Sequence, residues 1–416
     1  MLYIPLIYFI LLDVYFLYVH RKWNMDVAAT SILVVISISA ILLDMNDLYG
    51  DYGINDYSIT FPTILLFCFQ WTMVLIPIHW LSTIKFEKPT NIKESLLKFI
   101  LLVITVNAII MIFVKLPDIK EALIMDLADV RNQHYEELNE GGGGTGMNLL
   151  MLIPSIIVSP PFPTLALFFW FYLNSFTKSS FLLKTGVLFA SVLSSCIAII
   201  MAGRAALVYW VFDFYIIYSY FYQYLPKKVK VRINLSAATI LILITILFTA
   251  ITIARFDVEK EGGTPMASLY GYAGQHVNNF CVMFEEGERS PLQIGRIFPL
   301  TAKLIGQKFD LKDHYDTIAS HVKPLVNVFD TFGAEIYLDL GWFGYFTFFL
   351  LLWIFTFYIK HNWKTMKFYR VFALIIVISF FTRGLFAWPF TGHYSSFALI
   401  TMLIFTVLFK YRFKFK

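Results

Sequence analysis

AIIMAGRAALVYW (198–210) sets a single arginine, Arg204, between two apolar runs. Each run is long enough to cross a bilayer, which takes about 20 predominantly apolar residues. An arginine at that depth is costly unless it is paired or faces water or a ligand. The rest of the chain is of the same kind. Its 416 residues are 58% hydrophobic and 15% charged, whereas a soluble domain carries roughly 25% charge. Similar apolar runs recur along the whole length. The expectation is therefore an all-α, multi-pass membrane protein forming a single integral membrane domain over residues 1–416, and no soluble core needs to be counted.

Eleven spans are predicted, at 2–19, 27–44, 59–83, 95–115, 147–174, 185–202, 205–225, 235–254, 332–359, 371–389 and 394–409. The first has neither a basic leader nor a small-residue cleavage site, so it reads as a retained span and not a signal peptide. Cys68, Cys196 and Cys281 have no paired spacing, and nothing suggests a disulfide framework or a zinc site.

Basic residues fix the expected orientation, because Lys and Arg concentrate in short cytoplasmic loops. Alternate loops between these spans hold 20 of the 33 Lys and Arg residues, among them Arg21, Lys85, Lys178, Lys227, Lys360 and Lys410. The same segments hold only three acids, Asp26, Glu87 and Glu94. The N-terminus is thus expected outside and the C-terminus inside. The longer loops then face outward. In the loop 116–146, Ile119, Leu123, Leu127 and Val130 share a helical face ahead of the glycine run 141–144. That pattern fits a helix lying on the membrane surface, and a solvated spacer fits it equally. The loop 256–331 spans 76 residues, too long for a mere connection.

Three arginines fall on the expected outer side at one depth: Arg204, Arg255 at the end of the eighth span, and Arg383 in FFTRGLFAWPF (380–390). Interfacial anchoring is the plain explanation for each. Basic anchors, however, otherwise cluster on the opposite side. Arginine also offers a planar fork that suits phosphate oxygens. Asp213 cannot neutralise Arg204 on the same helix, since nine residues put the two on opposite faces, about 13 Å apart along the axis. Asp13 and Asp213 read as polar partners between helices. The small residues Ala202, Gly203, Ala205 and Ala206 leave room for a bulky ligand or for a neighbouring helix.

The outer loop carries Tyr270, Tyr272, His276, Asn278 and Asn279 within ten residues. Such side chains suit sugar hydroxyls and ring faces, and they also suit an interfacial belt. His276, His314 and His321 are its candidate general bases. Asp257 and Glu259 could touch a divalent cation, but no further ligand joins them, so no metal site and no cofactor is expected. No phosphate-binding glycine loop, dinucleotide fingerprint, HExxH or GxSxG is present, and nothing points to nucleic acid.

GRAALVYW (203–210), YGYAGQHVNNF (270–280) and NVFDTFGAEIYLDLGWFGYF (327–346), with the plan of spans, resemble the O-antigen polymerase (Wzy-type) family of oligosaccharide repeat-unit polymerases. The third stretch is the most specific. The resemblance implies a GT-C-like bacterial inner-membrane glycosyltransferase with a large periplasmic loop between spans 8 and 9. It would polymerise glycan repeat units carried on undecaprenyl diphosphate, without a nucleotide sugar, for lipopolysaccharide or a related polysaccharide. It also implies, in many members, a chain-length regulator protein as partner. By the same resemblance Arg204 would bind the diphosphate, with Arg255 and Arg383 as companions. The arginine-rich R-x10-G loop motif of some members is matched only by Arg131 and Gly142, where the glycine run makes a match cheap. A hydroxyl of the acceptor would attack the anomeric carbon as diphosphate leaves. His276 and His321 are the candidate bases, with Glu335 and Asp339 as alternatives, and Tyr270, Tyr272 and Asn279 would bind sugar. An O-antigen ligase is the nearest alternative. A lipid-linked oligosaccharide flippase or other transporter is the alternative of another class. Transporters favour paired broken helices, and the sequence predicts only one break, at SPPFP (159–163).

Overall fold

The computed structural model describes residues 1–45, 59–84, 94–122, 149–200, 205–239, 242, 246, 265–286, 294, 297–306, 331–360, 367–390 and 393–410. Every regular element among them is helical. Among the described residues, seven helices are long and apolar enough to cross a membrane, or eight if one bent pair is a single span. The chain is therefore a multi-pass membrane protein. It divides into two compact units, one of residues 1–85 and 262–416, the other of residues 86–261.

The second unit contains α4 (Glu94–Ala122), α5 (Leu149–Val158), α6 (Phe162–Phe176), α7 (Phe181–Ile200) and α8 (Ala205–Phe221). The expected boundary at residue 115 is overrun, since α4 continues through Pro117 to Ala122. The proposed surface helix beyond it, from Leu123 onward, lies outside the described residues. The expected span 147–174 is a bent pair, with 63° between the axes of its halves. Proline at 160, 161 and 163 explains the break, because its nitrogen cannot donate to the helix ladder and its ring crowds the preceding turn. Asp213 of α8 is 1% exposed and accepts a 2.6 Å hydrogen bond from Thr164 Oγ1 of α6. That is the helix-to-helix polar partnership expected from the sequence. The same two helices also pack through Phe168, Phe171, Phe214 and Phe221, with Phe168 and Phe221 centroids 4.9 Å apart.

The first unit contains α1 (Tyr3–His20), α2 (Met25–Met45), α3 (Phe61–Ser82), α9 (Pro265–Glu286), α10 (Pro299–Leu304), α11 (Thr331–Lys360), α12 (Phe368–Gly384) and α13 (His393–Lys410). All residues of α12 are buried, including both arginines. An all-round apolar helix buried in this way is a core helix. By contrast α1 exposes Ile7, Leu11, Val14 and Tyr18, and the second half of α11 exposes Phe343, Leu350, Leu351 and Phe357. Outward apolar faces of this kind match a hydrocarbon surround. Asp13 accepts a hydrogen bond from Thr30 of α2, again as the sequence suggests.

Two features of this unit depart from the sequence-based expectation. The segment 256–331, expected to be an outer loop, contains α9, which packs against α2, α3 and α11 and buries Val277, Phe280, Cys281, Val282 and Met283. Hydropathy missed it because its Gln, His and Asn residues lower the mean while the tertiary contacts cover them. Second, α11 is broken at Gly341, whose φ of 64° and ψ of −166° lie outside the helical region. Only glycine adopts that backbone readily. A broken helix thus occurs in each unit, and the expectation of a single break is corrected.

Candidate functional site

The turn that follows α12 meets buried polar residues of α9 and α11. The Arg383 carbonyl accepts N–H bonds from Phe386 at 2.9 Å and Ala387 at 3.2 Å, which folds the chain back across the helix end. A Cβ on Gly384 would meet the Phe332 ring at 2.7 Å, so α12 ends directly against the start of α11. From that first half of α11, the Glu335 carboxylate accepts the Trp388 backbone N–H. One turn further on, Asp339 Oδ2 accepts the N–H of Ile297 at 3.3 Å. Thr331 opens the helix at positive φ and accepts a 3.3 Å hydrogen bond from Gln70 Nε2 of α3.

Helix α9 closes the other side. His276 is 1% exposed and its ring meets Phe386 edge-on, centroids 4.6 Å apart. Tyr272, one turn before, is half-buried 6.3 Å from the same ring. Gln275, Asn278 and Asn279 are buried beside them. At its C-terminus Glu285 Oε1 accepts the Thr60 N–H at 3.0 Å and the Thr63 hydroxyl at 3.2 Å. It thereby caps α3, where an acidic group also meets the positive helix end. Phe284 stacks on Tyr337 at 4.4 Å and ties α9 to α11.

An imidazole, two carboxylates, a guanidinium and several amides are thus enclosed among aromatic rings, with Trp388 packed against Phe298, Phe348, Phe380 and Phe390. Polar groups buried at this density cost several kcal/mol unless they are satisfied or used. The set offers a proton acceptor, a fixed positive charge and a water-poor surround, which is the equipment for displacing an anionic leaving group. Burial pushes the Cys281 thiol up to about 12, which disfavours its thiolate form. All three cysteines are free.

Of the residues singled out from the sequence, His276, Asn279, Tyr272, Glu335, Asp339 and Arg383 fall in this region. Tyr270 is half-buried near the start of α9. Arg204, Arg255, Asp257, Glu259, His314 and His321 lie outside the described residues. Sequence reasoning missed Gln70, Thr331 and Trp388, which only the meeting of α3, α11 and the post-α12 turn reveals. It also missed a separate cluster of His20, Asp26, His79 and Ser82 at the opposite ends of α1, α2 and α3. Its members are up to 62 residues apart in the chain, from His20 to Ser82.

Comparison with models of protein families, with curated proteins and with solved structures gives no match.

Proposed function

We propose that the chain is a bacterial inner-membrane polymerase of lipid-linked oligosaccharide repeat units, with a GT-C-like arrangement of eleven spans. In this reading the N-terminus is periplasmic, the C-terminus is cytoplasmic, and the reaction occurs at the periplasmic face. The supporting observation is a convergence in space. The stretches YGYAGQHVNNF on α9 and NVFDTFGAEIYLDLGWFGYF, which runs into α11, lie far apart in sequence, yet they pack together and both contact the turn after Arg383. These are two of the three stretches that carry the resemblance, and they bring His276 and Glu335 to the turn that follows Arg383.

Arg204, Arg255 and Arg383 hold the undecaprenyl diphosphate, whose negative charge grows as the sugar–phosphate bond breaks. His276 or His321 takes the proton of the acceptor hydroxyl, and Tyr270, Tyr272 and Asn279 contact sugar. A chain-length regulator is the protein partner this reading includes.

A second reading, a transporter of lipid-linked glycan, gains support from the broken helix in each unit. Deleting the coding gene in its source organism separates the readings. A polymerase leaves surface lipopolysaccharide capped by one repeat unit. A ligase leaves none attached while lipid-linked polymer accumulates, and a transporter leaves single units trapped on the cytoplasmic face.

A further inference from the structure

At the end of the first unit opposite the polar turn, three helix ends converge on one carboxylate. Asp26, at the start of α2, is 1% exposed. Its Oδ2 lies 2.8 Å from His20 Nε2, the last residue of α1, and 3.0 Å from His79 Nδ1 in the last turn of α3. The same oxygen accepts hydrogen bonds from Ser82 Oγ at 2.9 Å and Asn24 Nδ2 at 3.3 Å. The distribution is lopsided. Among the described residues, Asp26 Oδ1 is buried with no hydrogen-bond partner, and His20 Nε2, despite its proximity to Oδ2, makes no aligned hydrogen bond. The second carboxylate oxygen therefore keeps its acceptor capacity for a further partner.

The donor set and its surroundings suit a cation. The three ligand atoms of His20, Asp26 and His79 lie within 4.8 Å of one another. Tetrahedral coordination with bonds of about 2.0–2.1 Å separates ligands by about 3.3 Å, so small side-chain adjustments admit an ion. Two histidines end helices whose C-terminal carbonyls carry partial negative charge, which favours a cation there. Phe16 stacks against both imidazoles, at 6.3 and 5.5 Å, and fixes their planes. The His20 and His79 side chains remain 14% and 32% exposed, so the cluster lies at the edge of the packed helix ends. Two imidazoles with one carboxylate select zinc-class transition ions over magnesium or calcium, which demand more oxygen ligands.

We propose that His20, Asp26 and His79 bind a divalent transition cation of the zinc class, with Ser82 or a water completing the shell, and that the ion clamps the ends of α1, α2 and α3 together. The test uses the full-length protein purified in detergent and stripped with a chelator. Titration with ZnCl2 is expected to load about one zinc per chain and to raise the thermal midpoint by about 5 °C at saturation. MgCl2 is expected to produce neither effect. His79→Gln, which alters the more exposed of the two rings, is expected to fold and to lose the bound zinc. Visible absorption on adding Co2+ to the unaltered protein gives a readout that needs no variant. Absence of both stoichiometric zinc and a Co2+ spectrum in the unaltered protein would overturn the proposal. So would equal zinc loading in a His20→Gln/His79→Gln variant, or an equal response to magnesium.

Discussion

Gly274→Val is expected to remove the folded protein from the membrane. A Cβ at this position would lie 2.5 Å from the Ser39 carbonyl carbon and 2.6 Å from the Ala40 nitrogen. Both are backbone atoms of α2, held by that helix's own hydrogen bonds. Overpacking that side chains can absorb costs about 1–3 kcal/mol, and here nothing flexible stands in the way to yield. Separating α9 from α2 would also uncover Val277, Phe280 and Cys281 together with the buried amides beside them. The expected cost therefore exceeds about 3 kcal/mol, with membrane abundance falling to a small fraction of the unaltered level. Gly186→Ala is the control. Its Cβ would meet the Thr105 side chain at 2.6 Å, and that side chain can turn aside. The measurement is abundance in washed membranes with the thermal midpoint in detergent. Normal values for Gly274→Val would mean that α9 does not pack on α2.

Arg204→Ala is expected to abolish polymer while leaving abundance unchanged. The reasoning is electrostatic. In the proposed reaction diphosphate departs with increasing negative charge, and a preorganised guanidinium in a water-poor site typically supplies a factor of about 100 to 1000 in rate. Lysine keeps the charge and loses the planar fork, so Arg204→Lys is expected to recover part of the chain length and not all of it. Arg383 differs. It is 7% exposed within the all-buried helix α12, so Arg383→Ala is expected to lower abundance as well as polymer. Glycan chain length on gels, normalised to protein level, separates the two effects. A normal ladder in Arg204→Ala would remove the diphosphate role from that residue.

The membrane class was legible because span-length apolar runs leave few soluble alternatives, and most expected spans coincide with helices within a few residues. That Asp13 and Asp213 pair across helices was legible for a similar reason, since a carboxyl inside a span must meet a neighbouring helix, while their partners Thr30 and Thr164 were not. The burial of α9 was hidden. Its Tyr, Gln, His and Asn residues look like loop chemistry until α2 and α3 are packed against them. Gly341 was hidden as well, because one glycine in an apolar run carries no signal of its backbone angle. The site around Arg383 was half legible. Its ionisable members stand out in an apolar chain, while Gln70, Thr331 and the Trp388 N–H become visible only through contacts between distant segments. His20, Asp26 and His79 look like ordinary residues at span ends, and only the meeting of three helix ends unites them.

The central claim is that this membrane protein lengthens a lipid-linked glycan. The most direct measurement supplies the purified, reconstituted protein with undecaprenyl diphosphate carrying a single repeat unit, without nucleotide sugar, and follows the lipid-linked products by mass. The expected result is a ladder of two, three and more units with release of undecaprenyl diphosphate. Units that remain single, whether unchanged or merely moved across the vesicle membrane, would contradict it.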